Sequence, residues 1–160
     1  EAQLAALDVV AGTATLSKAL VLNSALGISA FRQTGRNLRV QATPAAKTTS
    51  TTLTAAEIIA GLITVAQGGA GVSTLTLPLG TDLEIALIAA FPGLANNDSF
   101  DFTLVNISAV GAEDAVGAGN TGTTLVGNGD VASNAAATDK STGTFRVRRT
   151  AADTYSIYRL

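Results

Sequence analysis

The chain contains no cysteine and no histidine. Without cysteine there is no disulfide framework, no zinc–thiolate site and no thiol nucleophile. Without histidine the commonest general base and the commonest transition-metal ligand are missing together. Tryptophan is absent too, and five Phe and two Tyr are the only aromatic residues in 160. Large aromatic side chains bury the most area each, so an interior of Ala, Val and Leu gains less per residue on folding. A thin core of that kind leans toward burial against partner subunits. No run reaches the roughly 18 apolar residues that span a bilayer. The longest apolar stretches, residues 55–65 and 83–90, are shorter and each holds a Glu. No segment reads as a secretory leader. Ten basic and twelve acidic residues nearly balance, unlike the strongly basic domains that grip nucleic acid. Nucleic acid, membrane and small-molecule substrates are therefore not expected partners, and no cofactor is expected.

What is present reads as β structure. The length suits one domain, or a smaller domain with an arm. Residues 1–50 read as an extended N-terminal arm with short strands at Gly27–Phe31 and Asn37–Ala42. The arm ends in a linker, Thr43–Ser50, which has Pro, small residues, hydroxyls and no period. A β-rich body spans residues 51–160. It opens with two capping-box patterns, Thr54-Ala55-Ala56-Glu57 and Thr81-Asp82-Leu83-Glu84, which predict short helices over Ala55–Gly61 and Asp82–Ala90. Ser73–Leu77 alternates as a strand up to Pro78. From residue 97 onward the period is two: Phe100, Phe102 and Leu104 share one face, Asp101, Thr103 and Val105 the other. Thr123–Val126, Thr144–Arg149 and Thr154–Leu160 continue the pattern, the last two as a hairpin across Thr150–Asp153. The expected fold is mainly β, an antiparallel β-sandwich or barrel, jelly-roll-like, with two short helices.

Several motifs invite a chemical reading, and most fail on context. Gly117–Gly122 matches G-x-G-x-x-G, but a dinucleotide loop needs a helix after it, and Thr123–Val126 is strand-like. Asp98 and Asp101, with Asn96 and Asn97, offer hard oxygen ligands, yet Asp101 falls inside an alternating strand. Glu113, Asp114 and Asp130 lie in Gly/Ala-rich loops with no aromatic platform for a sugar. Ser17-Lys18 is a dyad in sequence only, since neighbours on a strand point to opposite faces. Asn97-Asp98-Ser99 and Asn106-Ile107-Ser108 fit the glycosylation pattern without a secretory context. No catalytic, cofactor or metal residue is assigned. The basic residues remain. Arg32, Arg36 and Arg39 cluster in the arm, and Arg146, Arg148 and Arg149 sit near the C-terminus. A solvated outer face is the plain reading, and docking on an acidic protein surface is the sharper one, because Arg suits interface ion pairs.

Two stretches carry a resemblance. Val9–Asn23 (VVAGTATLSKALVLN) is similar to a segment common in tailed-bacteriophage virion proteins. Leu53–Ile63 (LTAAEIIAGLI), Thr76-Leu77-Pro78, Ala89–Gly93 (AAFPG) and Ser99–Asn106 (SFDFTLVN) resemble, in that order, segments of phage head-decoration and related virion proteins. The loops Val65–Val72 and Ala109–Gly122 depart from that pattern. The resemblance implies a capsid decoration (cement) protein on the outer surface of a virion. It would be a homotrimer bound to the major capsid protein, with Arg32, Arg36 and Arg39 as capsid-interface candidates and no catalytic residue to carry over. The alternative is a tail-fibre, head-fibre or baseplate component acting in host attachment.

Overall fold

The computed structural model describes residues 40–69, 71–135 and 140–160. In chain order the elements are β1 (Ala45–Lys47), β2 (Thr51–Thr52), α1 (Ala55–Ala60), β3 (Leu62–Val65), β4 (Ser73–Thr76), α2 (Gly80–Ala90), β5 (Ser99–Asn106), β6 (Ala115–Ala118), β7 (Thr123–Val126), β8 (Asp130–Val131), β9 (Thr142–Ala151) and β10 (Thr154–Arg159). Among the described residues the fold is mainly β with two helices, as the period-two pattern and the two capping-box patterns predict. Strand readings at Gly27–Phe31 and Asn37–Arg39 lie outside the described residues, and residues 40–42 are not in a strand.

Helix α1 forms where its cap signal places it. Thr54 has extended backbone, its Oγ1 accepts from the Glu57 N–H at 3.3 Å, and Glu57 Oε2 accepts from the Thr54 N–H at 2.9 Å. Each side chain satisfies an N–H that the first helical turn leaves open. Gly61, in the left-handed region at φ +86°, ends the helix and donates its N–H to the Ile58 carbonyl.

The second cap does not form. α2 starts one residue earlier than Thr81, its N-cap is Leu79, and no side chain caps it. Glu84 is 7% exposed and turned inward to Arg149 and Tyr155, so it is unavailable to the helix start. The start is fixed instead by a close backbone approach. Gly80 donates its N–H to the Thr121 carbonyl at 2.9 Å. A Cβ on Gly80 would lie 2.0 Å from the Asp153 carbonyl oxygen and 2.8 Å from Gly122 Cα.

The sheets depart from the antiparallel expectation. β1-β3-β5-β9-β10-β7 form one sheet and β2-β4-β6-β8 the other. Among the described pairings five are parallel and three antiparallel. From β1 to β9 successive strands alternate between the sheets. Neighbours within a sheet are thus separated by long connections, as parallel pairing requires. α1 lies between β1 and β3, and α2 between β3 and β5. The expected β9–β10 hairpin is present, pairing Val147 with Ile157. The stretch expected as a linker, Thr43–Ser50, contributes β1, which pairs Ala45 with Ile63 and Lys47 with Val65. Lys47 is also held to Glu57 at 2.5 Å, so the body sheet begins before residue 51.

One core joins these elements. The six-stranded sheet supplies Ile63, Val65, Phe102, Leu104, Phe145, Val147, Tyr155 and Ile157. The other sheet supplies Leu75, Ala115 and Val131, and the helices add Ile58, Leu83 and Leu87. Phe102 and Phe145 stack with ring centroids 5.2 Å apart, concentrating the few aromatics where β5 meets β9.

Candidate interaction surface

Arg32, Arg36 and Arg39 lie outside the described residues. The C-terminal arginines are placed, and each has a partner in its own chain. Strand alternation turns Phe145 and Val147 into the core and Arg146 and Arg148 outward. Arg146 grips Asp101 with two parallel bonds of 2.8 Å across the β5–β9 pairing. The Arg146 hydrogen bonds hold the Asp101 carboxyl below its ordinary range, outweighing the effect of burial. Arg148 donates to Asn97, and Arg159 donates to the Asp130 carbonyl.

Arg149 follows the alternation inward and makes the strongest cluster. Its guanidinium donates to both Glu84 oxygens at 2.6–3.1 Å and to Asn96 Oδ1 at 2.5 Å. The Tyr155 hydroxyl donates to Glu84 Oε2. Hydrogen bonds from Arg149 first, then from Tyr155, draw the Glu84 carboxyl down to about 2 against the opposing push of burial. Burial, then the neighbouring carboxylate, raises the Tyr155 hydroxyl. The cluster fastens α2 to β9, β10 and the turn before β5. Both faces of a charged network are thereby satisfied, which is the condition for placing charge in an interior.

The other acids do not converge on a common centre. Asp98 Oδ2 accepts from the Ala95 N–H, and Asp114 Oδ1 from the Ser133 N–H. Glu113 is 1% exposed and accepts from the Ser108 hydroxyl. Buried Asn106 donates to the Glu113 and Val131 carbonyls at 2.7 and 3.2 Å and accepts from the Ser108 N–H. Asn106 therefore closes loops inside the fold. Among the described residues no group of three or more Asp or Glu side chains could hold a metal. The G-x-G-x-x-G stretch is split between β6 and the bridge Asn120–Thr123, and a strand, not a helix, follows it.

The sequence reading missed one surface, the outward side of α2. Beside its C-terminal end lies a cavity of about 250 Å³, whose apolar lining is Leu87, Phe91, Leu94, Phe100 and Val147 and whose polar lining is Asp98, Ser99, Arg149 and Tyr155. The chemistry there is apolar packing, since Arg149 and Tyr155 are already committed to Glu84. A run such as Ile85–Phe91 reads as buried helix from sequence alone, because nothing in it marks which side faces water. Comparison with protein-family models, with curated proteins and with solved structures gives no match.

Proposed function

We propose that this chain is a non-catalytic structural protein of a tailed-bacteriophage virion, which decorates and stabilises the outside of the capsid by binding the major capsid protein. The observation that carries the reading is where the phage-like segments fall in the fold. Leu53–Ile63 spans the capping box and α1 and enters β3. Thr76–Pro78 leads out of β4, and Ala89–Gly93 closes α2. Ser99–Asn106 is β5, in the middle of the larger sheet. Three of these segments carry core residues, among them Leu53, Ile58, Ile63, Leu77, Phe102 and Leu104, where packing constrains sequence most tightly; Ala89–Gly93 is exposed, and Val9–Asn23 lies outside the described residues. In the same reading the two sheets face each other as a β-sandwich of mixed strands, and the protein works as a homotrimer. The chain before β1, with Arg32, Arg36 and Arg39, reaches carboxylates of the capsid protein.

The test is location and copy number on virions of the phage that encodes the chain. Antibody labelling should cover the whole head, and quantitative mass spectrometry should give copies comparable to the major capsid protein. Labelling confined to a tail tip or one vertex, at a few copies per particle, would overturn decoration in favour of a fibre or baseplate component.

A further inference from the structure

Helix α2 has no polar side chain from Ile85 to its last residue, and Phe91 continues the run. The fold uses only one side of it. Leu83 and Leu87 are 1% and 2% exposed, whereas Ile85 is 71%, Ile88 52% and Phe91 52% exposed. Ile88, Ala89, Ala90 and Phe91 are four exposed apolar residues in succession. A helix that is apolar all round belongs in an interior, and an exposed apolar run of this length is an error of patterning unless it has a use.

We propose that this face is a contact between copies of the chain, with α2 of one copy packed on α2 of another about an axis passing beside Ile88. The face carries no basic residue; its one acid on the helix, Asp82, lies in the first turn, Glu84 is buried on the other side, and Asp98 at the adjoining cavity accepts from the Ala95 N–H. A surface that pairs with itself must be its own complement, and the uncharged stretch from Ile85 to Phe91 brings no like charges together. The relief also matches itself. Ile85, the most exposed side chain, stands about one turn before Ile88, while Phe91 and the apolar cavity lie about one turn after it. Two helices running antiparallel past Ile88 set each Ile85 against the other copy's Phe91 and cavity.

The area is sufficient. Burial of an aliphatic side chain removes on the order of 100 Å² from water and that of a Phe about 200 Å². The exposed parts of Ile85, Ile88 and Phe91, with Ala89, Ala90 and Pro92, therefore offer roughly 300 Å². Doubled over two copies, in an interface about 60% apolar, this corresponds to roughly 1,000 Å², the size at which a specific contact becomes stable. The contact is two-fold, so it joins copies in pairs and is separate from the interface of the proposed trimer; it stands without the capsid reading because the free chain should show it.

The absence of cysteine makes a direct test available, since a single introduced thiol reports alone. Purified full-length protein should have a dimeric native mass at micromolar concentration, or a hexameric one if the proposed trimer also forms. Ile88→Cys treated with diamide should form a covalent dimer, while Thr124→Cys, exposed on β7, should stay monomeric on a non-reducing gel. Ile85→Glu should fold normally by circular dichroism and weaken self-association by about tenfold or more. A monomeric or purely trimeric wild-type protein overturns the proposal, including the case in which Ile85→Glu impairs capsid binding and so assigns the face to the capsid protein. An oligomer whose Ile88→Cys form does not cross-link, or which Ile85→Glu leaves intact, also overturns it. A dimeric mass with the cross-link present sinks the homotrimer and leaves this contact standing.

Discussion

Replacing Glu84 by Gln removes one charge from the Arg149–Glu84–Tyr155 cluster while keeping its shape. The Glu84 carboxyl lies at about 2 against an ordinary 4.5 because Arg149 and Tyr155 bond its charged form. A folded-state value below the unfolded one stabilises the fold above about 4.5, and that contribution is lost as pH falls toward 2. At about 1.4 kcal/mol for each tenfold change in proton affinity, the ceiling is about 3 kcal/mol at neutral pH. The side chain is 7% exposed, so water screens little of it. An independent route gives a similar figure, since removing one partner of a buried ion pair costs about 3–5 kcal/mol. We expect Glu84→Gln to lower the free energy of unfolding in urea by about 3 kcal/mol at pH 7, with the melting temperature falling by roughly 10 °C. The gap to wild type should then close as pH drops from 4.5 toward 2, because the wild-type carboxylate becomes neutral as well. Protein concentration must be held fixed across the series, since self-association adds its own stability. Equal stability at pH 7, or a gap that does not change with pH, would refute the assignment of the cluster as the fastening of α2.

Two further substitutions test the helix starts. Thr54→Ala removes the acceptor for the Glu57 N–H and should cost about 1 kcal/mol in urea unfolding, whereas Thr81→Ala and Thr121→Ala should stay within about 0.5 kcal/mol of wild type; equal losses at all three would show that capping is not the source. Gly80→Ala drives a methyl group into the Asp153 carbonyl and the Gly122 backbone and should cost about 3 kcal/mol or prevent folding, while Gly68→Ala, with nothing within 4 Å, should melt like wild type. An unchanged melting point for Gly80→Ala would contradict the close approach.

Much of the fold was legible because local signals and tertiary demands agreed. Thr54 and Glu57 cap in sequence and in space, and Phe100–Asn106 alternates because one face of β5 is buried. Thr81 misled for the opposite reason. Its pattern is as good as that of Thr54, but Glu84 is held by Arg149 and Tyr155, 65 and 71 positions away, and no window of local sequence contains that competition. β1, β2 and β8 are two or three residues long and carry no period of their own. They exist as strands because longer neighbours pair with them. The parallel pairing was hidden for a related reason: alternation reports which residues face inward, not which strand lies alongside. Asn106, Ser108 and Glu113 read as a glycosylation pattern and a loop acid, and only the folded connection of β5 to the following loop shows them to be one buried network.

The arginines are the point at which sequence and structure diverge most in meaning. On sequence alone Arg146, Arg148 and Arg149 are free cations near a chain end, suited to gripping an acidic partner. In the fold all four described arginines donate to groups of their own chain, and two of them, Arg146 and Arg149, are matched by a carboxylate. An aromatic-poor core explains the use. β1 packs on the core through Ala45 and α2 through Leu83 and Leu87; the Lys47–Glu57 and Arg149–Glu84 pairs add to the fastening of those two elements, while Arg146–Asp101 crosses the central pairing. Breaking such a pair to dock elsewhere would leave a charge stranded, at a cost that an exposed rim contact does not repay. The exposed side of α2, with Ile85, Ile88 and Phe91, is surface whose burial carries no such cost.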